Sequence, residues 1–247
     1  MARRAIDEGA DLILVLGGDG TINEAVNGMA GSAVPLGILP AGTANVLAME
    51  LGLGSHLGRA VERLAGSVQR RVALGRMCDR QGWSRYFLAM GGVGLDAKIV
   101  YDLDPILKAK TGKFAYWATG LAHVTQQVGQ FDARVNGDAY RCGFALISRV
   151  RNYGGDLEIA TGASLCKDDF EIVLFEGSNP LRYAWYMLGV AAKKVQQMAG
   201  VHTLHERRIE LSGDVHRQID GDYAGRGPAS FEIVPDALTL LMPPTYQ

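Results

Sequence analysis

Short apolar runs broken by glycine clusters set the rhythm of the first seventy residues. Residues 12–16 are five aliphatic side chains in a row, and a run that short between turn residues predicts a strand covered on both faces. It breaks into Gly17-Gly18-Asp19-Gly20-Thr21, and residues 23–29 follow with apolar positions at helical spacing. Ahead of it, residues 2–8 predict the end of a helix stopped by Gly9. The cadence repeats with a strand over 35–40, a turn over 41–45, and helices over 46–51 and 56–64. Strands alternating with helices imply parallel pairing in an α/β layer. Ligands of such sheets bind beyond the carboxyl ends of the strands, which is where both glycine turns fall.

The texture changes near residue 70. Short β-like runs at 86–90, 131–135, 143–148, 170–175, 208–211, 218–219, 231–234 and 238–241 are separated by turn residues and predict a second, mainly antiparallel β unit. Two helical interruptions are expected, over 112–127 and 180–198. The second is rich in Tyr, Trp, Met and Leu, a pattern that serves either core packing or an apolar face at a lipid cleft or bilayer. The expected division is 1–70 for the α/β unit and 71–235 for the β-rich unit, with 236–247 packing back on the first.

Composition narrows the function classes. The chain has 247 residues, 48% of them hydrophobic, enough for one large core or two smaller ones. Its 25 basic and 26 acidic residues leave a net charge of −1, which lacks the basic footprint of a nucleic-acid binder. Cys78, Cys142 and Cys166 are odd in number and scattered, so neither a disulfide framework nor a metal spacing emerges. No signal-peptide pattern opens the chain and no run is long enough to span a bilayer. The expectation is a cytoplasmic protein able to touch the inner membrane surface peripherally.

The chemistry concentrates in the turns. Glycines ahead of a helix let free N–H groups and the helix dipole hold a phosphate. Asp19 inside that loop would repel a phosphate on its own, so it points to metal-assisted or proton-linked chemistry on a bound nucleotide. The second turn delivers Gly42, Thr43 and Asn45 to the same edge. Two such loops can hold a polyphosphate between them, although Thr43 could equally be a plain helix cap. Asp220-Gly221-Asp222 presents two acids on a tight turn, which by itself also reads as an ordinary hairpin.

Together, Gly17-Gly-Asp-Gly-Thr-Ile-Asn-Glu24 and Gly37-Ile-Leu-Pro-Ala-Gly-Thr-Ala-Asn45 resemble the diacylglycerol kinase catalytic-domain family, which includes soluble bacterial lipid kinases and the sphingosine and ceramide kinases. Residues 91–97, 112–116, 153–155, 163–170 and 218–222 are similar to family segments in the same order. The resemblance implies a two-domain kinase, dependent on ATP and Mg2+, that moves the γ-phosphoryl group to a lipid hydroxyl, diacylglycerol or a related lipid alcohol. It implies nucleotide contacts at Gly17, Gly18, Asp19, Gly20, Thr21, Ile22, Asn23, Glu24, Gly42, Thr43 and Asn45. It further implies catalytic carboxylates at Asp222, Asp19 and Asp220, and a second-domain magnesium held by Asp168 with backbone carbonyls of Leu165 and Phe170. The implied partner is a lipid substrate at a membrane surface, without nucleic acid; a homodimer is left open. The sequence departs from the family pattern at Asp222, where the family carries glutamate. It also opens in what resembles the family's next helix, without the usual N-terminal strand, Asn-Pro glycine loop and helix, so a shortened form is expected. A kinase for a soluble acceptor such as NAD, and an inactive family member, stand as alternatives.

Overall fold

A computed structural model describes residues 1–102, 128–154 and 157–247. The expected helix over 112–127 and the family-like segment 112–116 lie outside the described residues. The first part contains helix α1 (Ala2–Asp7), strand β1 (Ile13–Gly17), α2 (Asp19–Met29), β2 (Pro35–Pro40), α3 (Val46–Glu50) and α4 (Leu57–Ala65). β1 and β2 pair in parallel, with Ile13 opposite Leu36 and Gly17 opposite Pro40, as the alternating strand and helix pattern predicts. Both strands therefore deliver their glycine turns to one edge.

The remainder is β-rich: β3 (Val68–Asp79), β4 (Ser84–Phe87), β5 (Met90–Gly94), helix α5 (Leu95–Asp102), β6 (Phe131–Val135), β7 (Asp138–Ser148), β8 (Asn152–Tyr153), β9 (Leu157–Glu158) and β10 (Phe170–Glu176). Helix α6 (Pro180–Ala191) follows, then β11 (Val201–Glu206), β12 (Arg208–Ser212), β13 (His216–Ile219), β14 (Asp222–Arg226) and β15 (Ala229–Met242). One mixed sheet runs β1-β2-β15-β12-β6-β7-β5-β13-β14, with β3 and β4 branching from β15, and β10 and β11 from β7. β15 meets β2 in parallel and β3 antiparallel. The C-terminal strand thus closes the α/β sheet that the N-terminal residues begin.

Several boundaries differ from the sequence pattern, each for a local reason. Helix α2 begins at Asp19 with Gly18 as its cap residue, so Asp19, Gly20 and Thr21 form its first turn. The run 86–90 is split between β4 and β5, because the N–H groups of Leu88, Ala89 and Met90 all turn toward the Asp220 carboxylate. The runs 231–234 and 238–241 belong to one strand. Pro235-Asp236 is absorbed as a bulge in which Asp236 takes φ 52° and accepts from Arg71 Nε at 2.6 Å. The helix expected over 180–198 stops at Ala191; Lys193 adopts φ 55° and a single 3-10 turn follows at Val195–Gln197.

Two apolar clusters hold the molecule. One runs from Val26, Met29, Leu36 and Ile38 through Leu238 and Leu240 to Phe175 and Tyr186. The other is the interior of the curled sheet, where Phe87 stacks on Phe170 at 5.7 Å and meets Phe231 edge-on at 5.9 Å. Glu50 joins the two parts of the chain. Its fully buried carboxylate accepts from the Arg151 and Asn152 N–H groups (2.9 and 3.2 Å), both their side chains and the Tyr246 hydroxyl (2.9 Å). Among the described residues no helix is long and apolar enough to cross a membrane.

Candidate active site

The two glycine turns touch. A Cβ on Gly18 would sit 3.1 Å from the Gly42 Cα, and one on Gly42 would overlap the Gly18 backbone, so only glycines allow this approach. The second turn is closed by Asn45. Its side chain accepts from the Gly42 N–H and donates back to the Gly42 carbonyl, both at 2.8 Å. Asn45 itself stands at φ 48° as the cap residue of α3, a conformation Asn tolerates better than most residues. Its side chain is thereby committed to shaping the loop. Gly42 and Thr43 are exposed at the mouth.

Asp19 ties the first turn to the second. Its Oδ1 accepts from the Leu47 N–H at 3.3 Å, in the first turn of α3. Burial pushes its carboxyl above the usual carboxylate value, and backbone N–H groups of Val46, Leu47, Asp19 and Asn45 pull it back only in part. A carboxylate short of positive charge beside two glycine turns is a donor that a divalent cation would suit.

Asp222 comes from the opposite direction. It opens β14 on the far side of the β13–β14 hairpin and is exposed, yet its Oδ2 lies 3.2 Å from the position a Cβ on Gly20 would take. The structure therefore brings the Asp222 carboxylate against the first turn of α2, across about 200 residues of sequence. Asp220, two positions earlier, turns the other way. It takes φ 48°, and its carboxylate accepts from the Leu88, Ala89 and Met90 N–H groups and from Asn23 Nδ2, at 2.9–3.0 Å. Burial raises the Asp220 carboxyl above its ordinary value, opposed by those same donors. All of its near acceptor capacity is spent on holding the β4–β5 corner and α2.

The other α2 residues divide similarly. Ile22 is in the core. Asn23 is buried and bridges α2 to Tyr86 O and Asp220, while Arg85 Nε donates to its Oδ1 at 2.9 Å. Glu24 pairs with Arg85. Asn23 and Glu24 thus fasten α2 to the β-rich part of the chain, and Thr21 is the side chain of this turn left exposed. The signal for Asn23 is its position: it falls on the buried face of α2 with Ile22, Ala25, Val26 and Met29, where a polar residue demands partners.

The implied second-domain cation set does not suit a metal. Asp168 is exposed and Phe170 opens β10 with its ring in the core. The Leu165 carbonyl is already taken by Arg149 Nη2 at 3.0 Å. Arg149 is fully buried, and Asp168 and Asp169 act on it electrostatically, although burial outweighs them and lowers its pKa to about 10. A guanidinium thus already occupies one acceptor site of the Leu165 carbonyl, and a divalent ion on the same oxygen would be repelled by it. Arg70 grips the neighbouring segment through Tyr246 O (2.9 Å) and Cys166 Sγ (3.3 Å). No reaction step is derived through that site. Millimolar Mg2+ without nucleotide is expected to leave the denaturation midpoint unmoved, and Asp168→Asn to leave the metal dependence of activity unchanged. A Mg2+-induced rise in the midpoint that Asp168→Asn abolishes would reinstate the cation there. Sequence reading missed Glu50, Arg149 and Arg85, since each is defined by partners distant in the chain.

Comparison with known proteins bears on relatives and fold. Residues 1–77 match the family model described as diacylglycerol kinase catalytic domain. A diacylglycerol kinase of Staphylococcus saprophyticus is 27% identical over 240 residues, covering 93% of this chain and 76% of that protein. One from Staphylococcus aureus is 28% identical over 246 residues, covering 93% and 74%. A crystal structure of a diacylglycerol kinase from Bacillus anthracis superposes with a TM-score of 0.76 at 20% identity, over 98% of this chain and 82% of that one. At that identity the structural likeness speaks for the fold.

Proposed function

We propose that this chain, a relative of the diacylglycerol kinases in sequence and fold, is an ATP- and Mg2+-dependent lipid kinase acting on diacylglycerol or a related lipid alcohol. The observation that carries this reading is the approach of the Asp222 carboxylate to Gly20, beside the paired Gly18 and Gly42 turns. In this reading the N–H groups of the two turns and the start of α2 cradle the phosphates of ATP. Thr21 and Thr43 offer hydroxyls at the mouth, while Asn45 keeps the second turn in shape. Asp19 would hold the metal, which when bound neutralises charge on the phosphates. Asp222 accepts the proton of the acceptor hydroxyl as its oxygen attacks the γ-phosphorus. The P–O bond to the β-phosphate breaks, giving a lipid phosphate and ADP. Asp220 is a positioning residue: by gathering the β4–β5 corner and Asn23 it sets the hairpin that presents Asp222.

The test is transfer of labelled γ-phosphate from ATP to diacylglycerol in mixed micelles, run beside NAD as a soluble acceptor. Label is expected in the lipid phase and to depend on Mg2+. Label in NAD alone, or in neither acceptor despite nucleotide binding, would overturn the reading.

A further inference from the structure

Helix α6 carries an apolar face that stays exposed among the described residues. Its inner side is firmly seated: Tyr183, Tyr186, Gly189 and Val190 are buried. The Tyr183 hydroxyl donates to the Phe175 and Gly177 carbonyls, at 3.1 and 3.0 Å. The Tyr186 ring packs edge-on against Phe175 at 5.3 Å, and its hydroxyl reaches the Gly200 carbonyl at 3.2 Å. The helix start is fixed too, by Asn179 accepting from the Leu181 N–H at 2.9 Å, with Pro180 in the first turn. On the outer side Leu181, Trp185 and Leu188 are 75%, 62% and 62% exposed. Spaced four and three apart, they form one stripe along the helix.

Charge is equally one-sided. From residue 177 to residue 205 the chain contains no Asp or Glu, but holds Arg182, Lys193 and Lys194. Lys194 is exposed at the end of the helix; Lys193 pairs with Glu158 at 3.2 Å while staying 64% exposed. Arg182 is half-buried, laid against the inner Tyr186 ring and donating to the Ala199 carbonyl at 3.2 Å, so its charge is spent within the fold. A helix with Trp at the centre of an apolar line, free of acids along its length and followed by two exposed lysines, fits the boundary between headgroups and acyl chains of an anionic bilayer.

We infer that the outer face of α6 is a membrane-docking surface for bilayers bearing anionic lipid, with Leu181, Trp185 and Leu188 entering the interface and Lys193 and Lys194 meeting the headgroups. The choice of a bilayer over a protein partner rests on the lipid-kinase reading above together with this charge pattern. α6 packs on β10 through Tyr183 and Tyr186, and the same sheet continues through β7, β5 and β13 to the hairpin carrying Asp222.

The experiment is sedimentation of the whole chain with phosphatidylcholine vesicles, with and without phosphatidylglycerol. It compares the wild type with the triple variant Leu181→Ser, Trp185→Ser, Leu188→Ser and with the charge variant Lys193→Asn, Lys194→Gln. Wild-type binding is expected on anionic vesicles, weaker by at least about tenfold in either variant. Transfer to a short-chain, water-soluble diacylglycerol should be unchanged in both. Equal vesicle binding by wild type and triple variant would overturn the docking surface. So would stripe-dependent self-association in ultracentrifugation without vesicle binding, which would assign the face to a second copy. Stripe-dependent vesicle binding by a wild type that phosphorylates no acceptor would uphold the surface while sinking the kinase reading.

Discussion

Asp222→Asn is expected to lower turnover for phosphoryl transfer by about 10²- to 10⁴-fold, the usual worth of a positioned general base. Nucleotide affinity should stay within about twofold, since on the proposed reading the two glycine turns, rather than this side chain, hold the phosphates. The amide keeps the size of the carboxylate beside Gly20 but cannot take the proton. Asp222→Glu should keep activity within about tenfold, because the side chain is exposed and the extra methylene can move toward the mouth. Initial rates, with ATP affinity measured separately by calorimetry, decide the matter. A parallel loss of affinity and turnover in Asp222→Asn would remove the base assignment and leave a binding role.

Asp220→Ala should produce the opposite signature. It strips the acceptor from three backbone N–H groups and from Asn23 in an enclosed corner. A loss of about 3–5 kcal/mol in unfolding free energy is expected, read from denaturant midpoints. Whatever protein remains folded should show reduced turnover without a new pH dependence. A variant of wild-type stability with lost turnover would move the proton-accepting role from Asp222 to Asp220.

These neighbours show where sequence reading reaches and where it stops. The turn Asp220-Gly221-Asp222 was legible as two acids in a hairpin, a local pattern that only the family resemblance turned into a site candidate. The resemblance also singled out Asp222 as the base, but no local signal showed which acid turns toward the first glycine turn. That depends on the φ of 48° at Asp220 and on N–H groups 130 residues away, at the β4–β5 corner. The glycine turns were legible for the same local reason, and the parallel pair β1–β2 followed from the apolar runs. The split of the run 86–90 was hidden, since its cause is Asp220 itself. Glu50 and Arg149 look like ordinary charged residues until the fold buries them. The Pro235-Asp236 pair imitates a turn, and only the long β3 partner turns it into a bulge.

That bulge has a consequence for motion. β15 leaves the Asp222 hairpin after Gly227-Pro228, runs along β3, skips register between Val234 and Leu238, and then joins the start of β2, the strand that ends in the second glycine turn. On the proposed reading, the part that would supply the base and the part that would hold the nucleotide are therefore spliced by one continuous strand. Its interrupted stitch is where that strand would flex if the two parts separate to exchange ADP for ATP.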